Sequence, residues 1–228
     1  MLLQRGHRLR KVLRMQSDRE RTDIFLSSLE KSRGVFLDEL EEKALDEGVP
    51  IIKKPVQGLL RVLLEAKKPE RVLEIGTAVG FSALFMIENG PQNMVLTTIE
   101  DFERRFEEAE RNIKASGHSE RIRLIFGDAN EVLKTLEGGF DLIFMDAAKA
   151  QYINYLPEVM RLLNRGGLLM ADNCLQDGDI LESKFIVERR NRTIHKRMRE
   201  FLTAVYDSEE LESTLLSIGD GVCVCVKK

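Results

Sequence analysis

The chain has no tryptophan and three cysteines in 228 residues. Three cysteines are too few for a disulfide framework. Cys223 and Cys225 stand two apart in an apparent strand, on one face and poorly placed to bridge each other. No apolar run reaches the roughly 20 residues that a membrane-spanning helix needs. Met1 to Met15 offers only Leu2-Leu3 before Arg5, which is no signal-peptide core. The cytoplasm is therefore the expected location, and no membrane partner is expected. An excess of one charge is missing as well. A net charge of −3 gives no global pull toward nucleic acid and leaves that role to local basic patches. There is no internal repeat and no low-complexity linker.

What is present suits a packed core: 43% hydrophobic and 32% charged residues. Residues 1–21 are rich in Arg and Lys, which reads as a nucleic-acid arm, as a disordered tail, or as an upstream start with Met15 as the true beginning. The tail or the upstream start is preferred to the arm, because basic termini are commonly disordered. From Thr22 to Glu47 apolar residues recur at near-helical spacing, with Gly34 dividing the run, and a further helix is expected around Pro55–Ala66. Beyond it come short, near-continuous apolar runs: Arg71–Ile75, Met94–Glu100, Arg121–Phe126, Phe140–Asp146 and Gly167–Asp172. Helical segments separate them (Phe81–Glu88, Phe102–Ser116, Asn130–Leu136 and Ile153–Leu163). Such runs joined through helices indicate parallel strands covered on both faces. A long charged helix over roughly Asp179–Tyr206 and an antiparallel hairpin of Leu215–Ile218 and Val222–Val226 are expected to close the chain. The expectation is an α/β fold of residues 22–228 as one domain: a mostly parallel twisted sheet with helices on both faces, a C-terminal antiparallel hairpin and an N-terminal helical cap.

Two of these runs stop abruptly on polar side chains. Phe140–Met145 ends on Asp146, with Lys149 three residues later, and Gly167–Ala171 ends on Asp172-Asn173. On neighbouring strands, Asp146, Asp172 and Asn173 share one rim of the sheet. They are hard oxygen donors, suited to Mg²⁺ rather than zinc. Lys149 then reads as a general base for a metal-bound hydroxyl, or as a solvated side chain on the following turn. Cys174 reads as packing rather than as a nucleophile.

Glu74-Ile75-Gly76-Thr77-Ala78-Val79-Gly80 marks the first strand-to-helix turn. Its G-x-x-x-G spacing fits a dinucleotide pyrophosphate poorly and suits a ligand lying across the strand end, such as S-adenosylmethionine (SAM). Tight packing alone also places glycines at such turns. Glu100 ends the second strand, where a carboxylate can grip two ribose hydroxyls. Gly127-Asp128-Ala129 ends the third, where Asp128 can accept from an adenine amino group, or simply cap the following helix.

Together, Glu74–Gly80, Glu100, Gly127–Ala129, Asp146–Lys149 and Asp172-Asn173 resemble the cation-dependent O-methyltransferases, the family of catechol and caffeoyl-CoA methyltransferases. The resemblance runs from about Arg21 to the C-terminus and implies a Rossmann-like class I SAM-dependent methyltransferase. Within the family, Gly48–Ile52, Gln151-Tyr152 and Ile218–Gly221 are most similar to the bacterial tRNA 5-hydroxyuridine branch, which makes 5-methoxyuridine at the wobble position. By resemblance, Ile52, Ser82, Glu100, Asp128 and Asp146 contact SAM, while Asp146, Asp172 and Asn173 hold Mg²⁺. Glu74, Gly76 and Ala129 complete the expected cofactor site, and Lys149 with Asp146 the expected catalytic pair. Such proteins often form homodimers, so a homodimer is expected.

Arg189, Arg190, Arg192, Lys196, Arg197 and Arg199 form a segment with no acidic residue among them. It reads either as a footprint for anticodon-loop phosphates or as a solvated helix pairing with Glu182, Glu188 and Glu200. The resemblance favours a tRNA partner. A 5-hydroxyl and its neighbouring O4 could chelate Mg²⁺ much as a catechol does, so the ligand residues do not separate RNA from small catechol or hydroxycinnamoyl acceptors.

Overall fold

The structure, a computed structural model, describes residues 34–228 except Lys184, together with Arg21, Phe25, Ser28 and Leu29. The basic stretch 1–21, apart from Arg21, and most of the helix expected before Gly34 lie outside the described residues. Two helices lead in, α1 (Val35–Asp46) and α2 (Lys54–Lys67), the second with Pro55 in its first turn, where a missing amide hydrogen costs nothing. Strands and helices then alternate: β1 (Arg71–Ile75), α3 (Phe81–Asn89), β2 (Val95–Glu100), α4 (Glu103–Ser116), β3 (Ile122–Phe126), α5 (Ala129–Thr135), β4 (Phe140–Met145), α6 (Tyr152–Leu162) and β5 (Leu163–Ala171). The chain closes with α7 (Arg192–Asp207), β6 (Leu211–Leu216) and β7 (Val222–Lys227).

The seven strands form one sheet in the order β3-β2-β1-β4-β5-β7-β6. β1 to β5 pair in parallel, and β7 runs antiparallel between β5 and β6. Side chains alternate along the strands and feed two cores. Val72, Leu96, Leu142, Phe144 and Met170 pack against α1 to α4. Leu73, Ile99, Ile143, Met145 and Leu169 pack against α5 to α7. Each such side chain, taken wholly out of water, stabilises the fold by about 1.5–3 kcal/mol. A sheet buried on both faces explains why these strands read as continuous apolar runs rather than alternating ones.

Two expectations change. The closing hairpin pairs Leu211–Leu216 with Val222–Lys227, not Leu215–Ile218, so its turn spans 217–221. The long charged helix begins only at Arg192; before it lie short 3₁₀ turns at Gln176–Leu181 and Arg189–Asn191. The cause is visible in α7 itself. Arg199 donates to the carbonyl of Ile180, His195 is bonded to that of Glu182, and Arg192 donates to those of Phe185 and Val187. Side chains thus satisfy the carbonyls that a continuous helix would have paired with its own amides.

Candidate active site

Met145 and Ala171 are register partners across β4 and β5, so Asp146 and Asp172 emerge side by side at the same edge of the sheet. The Asp172 amide donates to the Met145 carbonyl at 2.9 Å. The Tyr152 hydroxyl, buried, lies 3.0 Å from the Met145 carbonyl and 3.1 Å from that of Asp172, and so ties the two strand ends together. Lys149 sits on the 3₁₀ turn that begins α6. Its Nζ reaches Asp146 Oδ1 at 2.5 Å and the Tyr152 hydroxyl at 3.4 Å. Arg197 donates to the carbonyl of Ala150 at 3.1 Å and pins that turn from behind. Asn173 has a left-handed backbone, φ 56°, and its amide donates to Asp172 Oδ1 at 2.7 Å.

Asp172 is only 2% exposed. Burial, and then the neighbouring negative charge of Asp146, push its carboxyl up to about 7. Asp146, Asp172 and Asn173 each offer a side-chain oxygen, with the Lys149 amine beside them. The set therefore fits a hard divalent ion such as Mg²⁺. Among the described residues, no group of three His, Cys, Asp or Glu side chains could hold a metal. A cation here would rest on two carboxylates and the Asn173 amide.

These residues line one end of a cleft of about 510 Å³, with Ile52, Gly76, Ala78 and Ser82 along its wall. A second recess of about 220 Å³ adjoins it through Gly76, Ala78, Asp146 and Ala147, and is bounded by Glu100, Asp101, Gly127, Ala129 and Tyr155. The two meet where β1 and β4 diverge in chain order, the usual ligand crevice of an open parallel sheet. Gly76, at φ 99°, makes that junction possible, since a Cβ there would collide with the Asp146 carbonyl. Glu100 is fixed by two backbone amides: Oε2 accepts from Ala78 at 2.7 Å and Oε1 from Phe102 at 3.0 Å.

A family described as O-methyltransferase matches residues 25–228. The chain belongs to the O-methyltransferase family. It is 31% identical over 169 residues to a catechol O-methyltransferase of Niastella koreensis, covering 72% of this chain and 76% of that one. A catechol O-methyltransferase of Mycobacterium tuberculosis is 39% identical over 124 residues, 54% of this chain and 56% of the relative. Among solved structures, the SAH-bound Podospora anserina methyltransferase PaMTH1 superposes with a TM-score of 0.84 at 25% identity, covering 93% of this chain and 96% of that one.

In this O-methyltransferase several expected residues sit elsewhere than the crevice wall. Glu74 is wholly buried, because its position on β1 points into the packed interior of the sheet, and its Oε2 accepts from Thr98 at 2.6 Å. Thr98 in turn accepts from Thr77 at 2.5 Å, a chain of hydroxyls beneath the Gly76 turn that the sequence reading did not find. Asp128 caps α5, accepting from the Asn130 amide at 2.7 Å, while its neighbours Gly127 and Ala129 line the recess. Cys174 is buried, and burial pushes its thiol up to about 12, so packing is its role. Among the basic residues, Arg190 pairs with Glu188 at 2.7 Å and Lys196 with Glu200 at 3.6 Å, whereas Arg192 and Arg197 spend hydrogen bonds on backbone carbonyls. Arg189 is exposed on the short turn before α7. No helix among the described residues is long and apolar enough to cross a membrane.

Proposed function

We propose that this chain transfers the methyl group of SAM to a hydroxyl of a small acceptor carrying two adjacent oxygens, as a catechol does, with Mg²⁺ held by Asp146, Asp172 and Asn173. The observation that carries the reading is the convergence of two carboxylates, an amide and Lys149 at one end of a cleft in an O-methyltransferase chain. Adjacent acceptor oxygens suit a site with few protein ligands, because they can fill neighbouring positions on one ion. The relatives named catechol O-methyltransferases support the same acceptor class. Binding of SAH by PaMTH1 supports SAM as the donor.

When bound, the cation supplies a Lewis acid that makes the acceptor hydroxyl more acidic. Lys149 Nζ stands beside Asp146 and would take the hydroxyl proton. Ile52, Gly76, Ser82 and Asp146, which line the cleft, would hold the donor's amino-acid end, and the recess bounded by Glu100, Ala129 and Tyr155 would take its nucleoside. The bound donor would supply an activated methyl group: a bond from the acceptor oxygen to the methyl carbon would replace the carbon–sulfur bond and release the thioether. Since the sulfonium is already reactive, alignment of donor and acceptor supplies most of the acceleration.

The test is methyl transfer from labelled SAM, with Mg²⁺, to a panel of catechols and hydroxycinnamoyl compounds beside total tRNA analysed for 5-methoxyuridine. Turnover on the small acceptors, abolished by a chelator, is expected. Methylation confined to wobble 5-hydroxyuridine would displace the small-molecule reading in favour of the tRNA acceptor.

A further inference from the structure

We infer that Asp220 is a positioning residue: it turns the Asn173 side-chain amide so that its oxygen, and not its nitrogen, faces Asp146 and Asp172. The inference rests on the cation reading above.

An asparagine amide has two ends of nearly equal shape and opposite chemistry, so a neighbour must choose which one faces a cation. Asp220 can make that choice, because an ionised carboxylate only accepts. Its Oδ2 takes a hydrogen bond from Asn173 Nδ2 at 3.4 Å, which leaves Asn173 Oδ1 directed away from Asp220. The contact spans 47 residues and is built deliberately into the fold. The turn between β6 and β7 is clamped onto the Asn173 turn by two backbone bonds, Cys174 amide to Gly221 carbonyl and Leu175 amide to Asp220 carbonyl, both 2.8 Å. Gly221, at φ 86°, permits the approach, since a Cβ there would run into Leu175. The other oxygen of Asp220 pairs with Lys53 Nζ at 2.7 Å, which fixes the rotamer of a side chain that is only 17% exposed. Asp220 lines the same cleft as the two carboxylates, yet it forms no three-acid cluster with them among the described residues. That arrangement suits a partner of a ligand and not a ligand. Partners of this kind commonly alter metal affinity 10–100-fold.

The competing account is that Asp220 serves only to hold Lys53. Mn²⁺ binding, followed by electron paramagnetic resonance on the whole chain, separates the two. Asp220→Ala is expected to weaken Mn²⁺ roughly 10–100-fold. Asp220→Asn, whose carbonyl can still accept from Asn173, is expected to recover most of that loss although it forfeits the charge facing Lys53. In an Asn173→Ala background Asp220→Ala is expected to cost nothing further, because the residue acts through Asn173. SAM affinity by calorimetry is expected to hold throughout. If Asp220→Ala does not fold, Asp220→Ser replaces it, its hydroxyl being too short to reach Asn173. Parent-like Mn²⁺ affinity in Asp220→Ala, Asp220→Asn as weak as the alanine, or an undiminished effect without Asn173 overturns the inference alone. A parent that binds no Mn²⁺ overturns the cation reading and this inference together.

Discussion

Lys149 Nζ lies 2.5 Å from Asp146 Oδ1, so the amine and a carboxylate of the proposed cation site are already in contact. The turn carrying Lys149 is set by Tyr152 on one side and Arg197 on the other. An amine held in this way fits the proposed role of Lys149 as the base.

Lys149→Ala is accordingly expected to slow the chemical step by about 10²–10⁴-fold, the usual range for loss of a general base. SAM affinity is expected to stay near that of the parent. Single-turnover rates across pH, beside calorimetric titration with SAM, check both halves. Parent-like single-turnover rates would remove Lys149 from the chemistry.

Asp172→Ala removes one of two carboxylates from the proposed cation site and leaves the recess around Glu100 and Ala129 untouched. Turnover is expected to lose its dependence on added Mg²⁺ and fall to background, while SAM still binds. A variant that kept the parent's Mg²⁺ response would show that the ion sits elsewhere.

Tyr152→Phe keeps the ring that packs edge-on against Phe201 but deletes the hydroxyl between the Met145 and Asp172 carbonyls. Loss of a buried hydrogen bond of this kind costs about 1–3 kcal/mol. Urea denaturation should show a lower midpoint with an unchanged slope. A midpoint equal to the parent's would mean that the hydroxyl does not brace the strand ends.

Glu74 gives the protein a pH dependence of definite sign. Burial, only partly offset by hydrogen bonds from Ser82 and Thr98, pushes its carboxyl up to about 8. Above the ordinary value of 4.5, the folded form therefore retains a proton that the unfolded form has released. Stability contributed by that proton is fully present at pH 4.5 and below, and declines as pH rises toward 8, by at most about 1.4 kcal/mol per pH unit. Glu74→Gln, always neutral, should flatten this part of the curve. Chemical denaturation at several pH values between 5 and 8 checks it, and parallel curves for parent and variant would contradict it.

The sheet and the acids at its rim were legible because both are local in sequence. Strands covered on two faces must be apolar throughout, and Asp146, Asp172 and Glu100 betray themselves by ending such runs. Glu74 was misplaced because the sequence puts it at a strand end without showing that its alternation turns it inward. The segment before α7 misled for a different reason: its charges resemble a solvated helix, and only the folded chain shows Arg192, His195 and Arg199 bonded to its carbonyls. The Tyr152 hydroxyl and Asp220 were missed as site residues because their partners lie 20 and 47 positions away, beyond any periodicity. The acidic residue between two glycines was visible as a turn, and nothing local said what the turn would touch.

Because β7 leaves the ribosome after every other strand of the sheet and yet slots between β5 and β6, the order of synthesis differs from the order in space. The Asp172-Asn173 corner is made well before the tip that steadies it. A nascent chain halted before Gly219 would hold both carboxylates without the turn that bonds the Asn173 amide, so the proposed orientation of that amide would wait for the hairpin of β6 and β7 to dock.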